Sequence, residues 1–465
     1  MAGKTGTGGG RLWEGAFSGA RADATRFNSA ENVLLDGRLA RYDILGSIAH
    51  VSMLAKQGIL NGRDTAAVTA ALRRLLKSER SGGFALDAAL EDVHTNVERA
   101  VTRMTSAGAK MHTARSRNDQ ALLDMRLYTR DEALAIAEAV IELQKSFAAL
   151  SKRDGVMAGY THTRIAQPLT VSFWCDSFVK GLERDIGRIM GCYGRLDESP
   201  LGACALAGTS WNIDRDYTAK LLAFGRVQGN ALDAVTSRGE AEAELLSALA
   251  ILMAKLSGIA EELIWLSQKR LVGIPDEFCT GSSIMPNKKN PDVLELIRGR
   301  SGRVYGCLAH VLSVKKGLMS GYHSDMQETK YAVMAGIGTA KECVVMLAKV
   351  VEGLEIDDGA MRNELEQGFA QATEIADALA RKGVPFREAH GIAGRLVGGC
   401  SKAGITLGQA EPLPQFSARE WEVLLSLERP RLKVKVSVDG RWEKLVRAEK
   451  LKIAKAYAAL EGRQE

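Results

Sequence analysis

Proline is scarce and unevenly placed: of nine in the chain, none precedes Pro168 and none lies between Pro200 and Pro275. A proline inside a helix removes a backbone donor and clashes with the preceding turn, so these stretches are free to run as long helices. The seven cysteines (175, 192, 204, 279, 307, 343 and 400) contain no C-x-x-C pair. That dispersion reads as reduced thiols and excludes a disulfide framework or a cysteine zinc site. The seven histidines show no H-x-x-x-H spacing, so no metal site is expected. Apolar runs such as Leu245–Ala254 break before the roughly 18 residues of a membrane span. The start, Met1 to Gly10, lacks the apolar region of a signal peptide, and a cytoplasmic location is the expectation. Lys plus Arg (62) exceeds Asp plus Glu (56) by six, too small an excess for a nucleic-acid-binding face. It is compatible with a site that attracts a small polyanion.

Apolar residues at 46% and charged residues at 25% are ordinary for a globular chain, and 465 residues suggest roughly three domains. Five segments carry apolar residues at helical spacing: Gln120–Arg153, Leu169–Leu196, Ala241–Val272, Val293–Val314 and Glu328–Leu354. In the third, Leu245, Leu249, Leu252, Leu256, Ile259, Leu263 and Leu266 recur every three or four residues. Helices of this length with several apolar faces predict an all-α bundle, with neighbours contributed across subunits. Composition shifts near 108–112 and 368–373 give three expected domains: 1–114, 115–365 and 366–465. Strand signals are few. Arg431–Val438 alternates charged or polar with apolar residues before Asp439-Gly440, which predicts one strand of a small hairpin. Gly3-Lys4-Thr5 has the wrong order for a phosphate loop, and the glycine-rich start is expected to be a flexible tail.

Three segments concentrate polar chemistry. Gly281-Ser282-Ser283-Ile284-Met285-Pro286-Asn287-Lys288-Lys289-Asn290-Pro291-Asp292 joins a flexible glycine, two hydroxyls and two lysines to a helix start, with Asn290 as the expected cap. Hydroxyls, cations and a helix N-terminus within twelve residues make an anion site. His112–Gln120 places Arg115 and Arg117, whose forks suit carboxylates, with Ser116 and Asn118 just before a long helix. Gly159–Pro168 sets His162 between Thr161 and Thr163, surroundings suited to a general acid or base.

With these segments in view, the sequence resembles the argininosuccinate lyases of the fumarase/aspartase superfamily. The Gly-Ser-Ser-x-Met-Pro-x-Lys-x-Asn-Pro pattern at 281–291 resembles the signature of the whole superfamily. More specific to this family are Arg115–Gln120, Gly159–Pro168 and Pro385-Phe386-Arg387-Glu388-Ala389-His390. Further similarity runs through Leu12–Gly15, Tyr42–Ile44, Ser47–His50, Glu91–His94, Pro200–Gly202 and Ala207–Thr209. The resemblance implies an all-α, three-domain lyase whose central long-helix bundle forms the core of a homotetramer, with each active site built from three subunits. It implies reversible conversion of argininosuccinate to arginine and fumarate in arginine biosynthesis, without cofactor; the histidine spacing, charge and apolar runs add the expectation of no metal and no nucleic-acid or membrane partner.

By the same resemblance Ser282 is the proton abstractor, its alkoxide stabilised by Lys288 and loop amides, and His162 is the acid toward the leaving nitrogen, oriented by Glu295; the alternative within the superfamily exchanges the roles of Ser282 and His162. Thr161 and Asn290 hold the carboxylate where charge develops. Asn32, Ser116, Arg117 and Asn118 contact substrate, and Tyr322, Gln327 and Lys330 form the pocket for the arginine moiety. Three departures stand out. Asn32 replaces a usual serine, and Asn287 a usual glutamine. Across Thr236–Glu240 only Arg238 of an Asp-Arg-Asp core survives, leaving it without its expected partners. Alternatives are a sister lyase acting on another fumarate adduct, and a structural protein on this scaffold, as in the lens delta-crystallins.

Overall fold

The computed structural model describes residue 27 and residues 31–153, 155–428 and 432–463. The glycine-rich start and Leu12–Gly15 lie outside the described residues. After a helical stretch at 31–36 come α1 (Ala40–Lys56), α2 (Gly62–Arg80) and α3 (Val93–Met104). The middle of the chain runs through α4 (Arg117–Leu150), a hairpin of β1 (Val156–Thr161) and β2 (Arg164–Thr170), α5 (Val171–Leu196), α6 (Glu240–Gln268), α7 (Asp292–Lys315) and α8 (Thr329–Glu352). After them come α9 (Asp358–Gln367), α10 (Ala372–Arg381), α11 (Phe386–Ala403), α12 (Ala418–Leu425) and α13 (Gly440–Glu461). The five helices expected from periodicity are α4 to α8, each within a few residues of its expected ends.

These five form a bundle: α4 packs on α5 and α8, α6 on α5, α7 and α8, and α7 on α8. The apolar stripe of α6 faces inward, with Leu245, Leu249, Leu252, Leu256 and Leu263 wholly buried. By composition α6 and the helical stretch 324–352 are long and apolar enough to cross a membrane, contrary to the sequence expectation that no run is. Here 56% of each such window is buried inside the fold, as in core helices of a bundle. The segment 375–421 has a second hydrophobic core built on Ile375, Leu379, Leu407 and Trp421. α13 leaves it and packs back on α4 and α1.

Strand content differs from expectation. Residues 432–438 form no strand, although Val434, Val436 and Val438 turn inward while Lys433 and Lys435 are exposed. The segment is extended but bonds to side chains rather than to a second strand: Thr170 Oγ1 donates to the Leu432 carbonyl (2.5 Å) and the Val434 amide to Ser172 Oγ (3.3 Å). The hairpin lies instead at β1–β2, antiparallel, with His162 and Thr163 as its turn. Both turn residues have positive φ (52° and 58°), the conformation of a type I′ turn, which usually selects asparagine and glycine.

Close approach within the bundle is sharpest at Gly336 on α8, where an added Cβ would lie 2.5 Å from Leu246 Cδ2 and 3.2 Å from Cys307 Cβ. Gly399 on α11 has open space around it. Gly336→Val is expected to destabilise by about 1–3 kcal/mol through overpacking. Gly399→Ala should stabilise by about 0.5–1 kcal/mol through helix propensity. Denaturant midpoints of the two variants check this, and equal shifts would contradict the packing.

Candidate active site

The start of α4 fixes the first group of side chains. Ser116 is the N-cap, its Oγ accepting from the Asn118 amide (3.2 Å), while Asp119 accepts from the Ser116 amide (3.0 Å) to complete a capping box. The other Asp119 oxygen accepts from the amides of Gly202 (2.8 Å) and Cys204 (2.9 Å). Arg117 and Asn118, on the first turn, therefore face a cavity of about 360 Å³, a volume suited to a small ligand. Its walls also include Asn32, Glu91, Asp92, His94, Arg238, Tyr322, Gln327 and Lys330.

Hydrogen bonds order one wall. Asn32 Nδ2 donates to Gln327 Oε1 (2.7 Å), and Gln327 Nε2 donates to Tyr322 Oη (3.1 Å). Lys330, buried, pairs with Asp36 at 2.5 Å, whose other oxygen accepts from the Val93 amide (3.1 Å). Arg117 lies 3.3 Å from both Glu91 and Asp92. Arg238 differs: its guanidinium stacks over the Tyr322 ring at 5.3 Å and meets no carboxylate among the described residues. Gly239 beside it has φ 88° and serves as the N-cap of α6. A Cβ there would come within 2.9 Å of Met326 Cε. The altered stretch thus keeps Arg238 at the cavity wall and leaves its charge uncompensated.

The signature loop is pinned at its base. Thr280 and Gly281 pair antiparallel with Asn290 and Lys289, and Asp292 accepts from the Thr280 amide (3.0 Å). Asn290 is therefore a ladder residue and not the helix cap expected from sequence; Pro291 takes the N-cap position, without a side-chain bond. The reason is register: pairing of the Asn290 backbone with Thr280 keeps it extended, and the helix begins at Asp292, so the cap position falls on Pro291. Within the loop Ser282 Oγ accepts from the amides of Ile284 (3.3 Å) and Met285 (3.0 Å). Lys288 is exposed, and Lys289 is held by the Ile274 carbonyl and Asp276. His162 is exposed at the hairpin tip, with Thr161 exposed before it. Glu295, on the first turn of α7, is exposed, and its one ion-pair partner among the described residues is Arg298 at 4.0 Å.

The chain thus gathers Asn32, Arg117, Asn118, Tyr322, Gln327 and Lys330 at one cavity, with Ser116 as the cap behind them. Ser282, Lys288, Asn290, Glu295, Thr161 and His162 do not line it, and no hydrogen bond or ion pair joins Ser282, His162 and Glu295 to one another among the described residues. The sequence placed Arg238 at a wall of the site but did not assign roles to Glu91, Asp92 or His94. The signal of these three was present in Glu91-Asp92-Val93-His94, where Asp92 caps α3 (Thr95 amide, 2.7 Å).

Two histidines, His50 buried and His112 half-buried, are held as neutral bases. Burial, then Arg115, lowers His50 to about 3 and His112 to about 4. Unfolding lets each take up a proton below its ordinary value near 6.5, so their contribution to stability is lost as pH falls through that value. Between pH 6 and pH 4.5 the His50→Gln variant should show a shallower loss than the parent, by up to about 1.4 kcal/mol per pH unit. Denaturation at several pH values measures the slope, and identical slopes would contradict the burial of a neutral His50.

Comparison with known proteins fits this geometry. A lyase family model matches residues 15–306, and an argininosuccinate lyase C-terminal model matches residues 369–430. The chain is 42% identical over 417 residues to the argininosuccinate lyase of Geobacter metallireducens, covering 89% of each. It is 42% identical over 439 residues to that of Deinococcus radiodurans, covering 93% of this chain and 92% of the relative. Among solved structures, an EDDS lyase variant with bound fumarate superposes with a TM-score of 0.78 at 25% identity, covering 96% of both chains. An all-α bundle with a cation-rich cavity beside α4, carried on a sequence this close to its relatives over nearly its full length, belongs to the argininosuccinate lyase family.

Proposed function

We propose that this chain catalyses the reversible β-elimination of argininosuccinate to L-arginine and fumarate, the step that releases arginine in its biosynthesis. The observation that carries the reading is the 42% identity to argininosuccinate lyases over 89% of both chains. The cavity supports it. A side of Asn32, Gln327, Tyr322 and Lys330 offers donors and acceptors for an amino-acid moiety, and Arg117 and Arg238 offer forks for carboxylates.

In this mechanism Ser282 removes the proton beta to the leaving nitrogen, and charge develops on the adjacent carboxylate. A serine hydroxyl is a weak base, and an alkoxide forms only where fixed donors stabilise it. The two backbone amides already directed at Ser282 Oγ supply such donors, with Lys288 on the same loop. Lys288, Asn290 and Thr161 then hold the carboxylate, and His162, oriented by Glu295, protonates the departing guanidino nitrogen. His162 and Thr163 occupy left-handed conformations at an exposed tip, a strain of the kind that persists where a side chain must be presented.

A homotetramer would bring these separated groups together. The outward face of α7 supports it: Gly299, Gly302 and Gly306 are exposed and would admit a close neighbouring helix, and Leu296 (54%), Tyr305 (42%) and Leu312 (52%) are exposed around them. In that assembly residues 115–365 form the central unit, with 1–114 and 366–465 placed around it.

Purified protein incubated with argininosuccinate should release fumarate, followed by ultraviolet absorbance, and should release none from adenylosuccinate. Fumarate from adenylosuccinate alone would overturn the substrate, and none from either in an assembled tetramer would point to a structural role. Ser282→Ala is expected to lower turnover about 100–10,000-fold with the oligomer intact. Near-normal turnover in that variant would remove Ser282 from the mechanism.

A further inference from the structure

Behind the cavity wall lies a cluster of buried ionisable groups that the elimination described above leaves unused. His94, on the first turn of α3, lines the cavity while its Nδ1 lies 2.5 Å from Asp43 Oδ2 on α1. The same oxygen accepts from Gln120 Nε2 (2.7 Å), and Asp124 on α4 is 3.6 Å from His94 Nδ1. Donor atoms of the three residues all lie within 4.8 Å of one another, and all three side chains are buried.

Two features show what this cluster needs. Asp43 Oδ1 and both Asp124 oxygens have no protein hydrogen-bond partner. Two anions this close in a dry interior repel strongly, whereas one proton on Asp124 makes it a donor to Asp43 and relieves the orphaned oxygens. Burial first, then the Asp43 charge, push Asp124 well above the carboxylate range. Burial also acts upward on Asp43, but His94, then Arg115 and Gln120, hold it below its ordinary value. Other charged or ionisable groups that interact with the cluster are Glu98 on α3 and His112 ahead of α4, both of which feel Asp43, and Asp36 ahead of α1, which acts on Asp124. His94 Nε2, meanwhile, has no protein partner among the described residues and is the nitrogen left to face the cavity. A buried ion pair adds little to stability over apolar packing, so this arrangement calls for another reason.

We infer that His94 binds a carboxylate of the substrate through Nε2–H, oriented by ionised Asp43, with Asp124 a neutral acid that donates to Asp43. His94 is then a direct ligand of the substrate, and Asp43 and Asp124 are positioning residues acting through it. The assignment rests on the lyase reading, so wild type is measured alongside. Absence of fumarate release from wild type counts against the reaction, and changes confined to the variants decide His94.

His94→Gln is expected to raise KM for argininosuccinate about 10–100-fold while kcat changes less than about threefold, the mark of a contact made equally to substrate and transition state. Asp43→Asn should match it, and the double variant should be no worse than the weaker single, because Asp43 acts through His94. Asp124→Asn keeps a neutral donor toward Asp43, so its KM should stay within about threefold of wild type. Loss in kcat alone, additive effects in the double variant, or an Asp124→Asn as impaired as Asp43→Asn would overturn the assignment. So would one equivalent of a divalent ion per purified chain that Asp124→Asn abolishes, since a cation would then occupy the place given to the proton. Thermal midpoints and oligomer size are recorded for every variant. If Asp43→Asn fails to fold, His94→Gln and Asp124→Asn still decide the matter.

Discussion

The carboxylate of Asp119 is the constraint on which the cavity depends. It closes the capping box at the start of α4 and holds the amides of Gly202 and Cys204 with its second oxygen. One buried side chain thus sets where the longest helix begins and where the loop after α5 passes. Arg117 and Asn118 point into the cavity because the helix starts at that residue and no other. Asp36 has a similar part on the opposite wall, joining Lys330 of α8 to the amide that begins α3. Rigid bundle helices carry both walls, and side chains held this way keep the orientation that a binding site needs.

Charge is distributed unevenly around the cavity. Lys330 and Arg117 are each balanced by carboxylates, and among the described residues Arg238 is not. The cavity therefore has a net demand for an anion on one side, which suits a substrate that carries carboxylates. The signature loop and the His162 hairpin lie apart from it and are exposed, each built to present polar groups outward. In the proposed homotetramer, the exposed loop whose serine already receives two amide donors and the turn that displays His162 are the parts that other copies of the chain would complete.

Much of this was legible in the sequence. Helices α4 to α8 follow from leucine and alanine spacing in stretches without proline, and burial of the Leu245–Leu266 stripe follows from the same period. The three polar segments were recognisable because each concentrates groups of one purpose within about ten residues. What escaped reading has physical reasons. The β1–β2 hairpin turns on His162-Thr163, residues that do not announce a type I′ turn. The alternation at 432–438 reports one-sided burial of an extended segment, which a ladder shares but does not require. Asn290 carries a cap-forming side chain, yet its place opposite Thr280 depends on a pairing ten residues back. The Glu91–His94 motif was visible in the sequence, but that His94 lines the cavity follows from the packing of α3 against α4, which the motif alone does not encode.

The proposed chemistry requires residues from more than one chain at each site. Complementation tests it most directly. His162→Asn, which keeps a residue tolerant of positive φ at the turn, and Ser282→Ala are each expected to be inactive alone. After the two are dissociated together and reassembled, mixed tetramers should recover part of the wild-type fumarate release, since some sites then receive an intact His162 and an intact Ser282 from different chains. Mixed tetramers verified by native mass spectrometry that stay inactive would contradict the shared site.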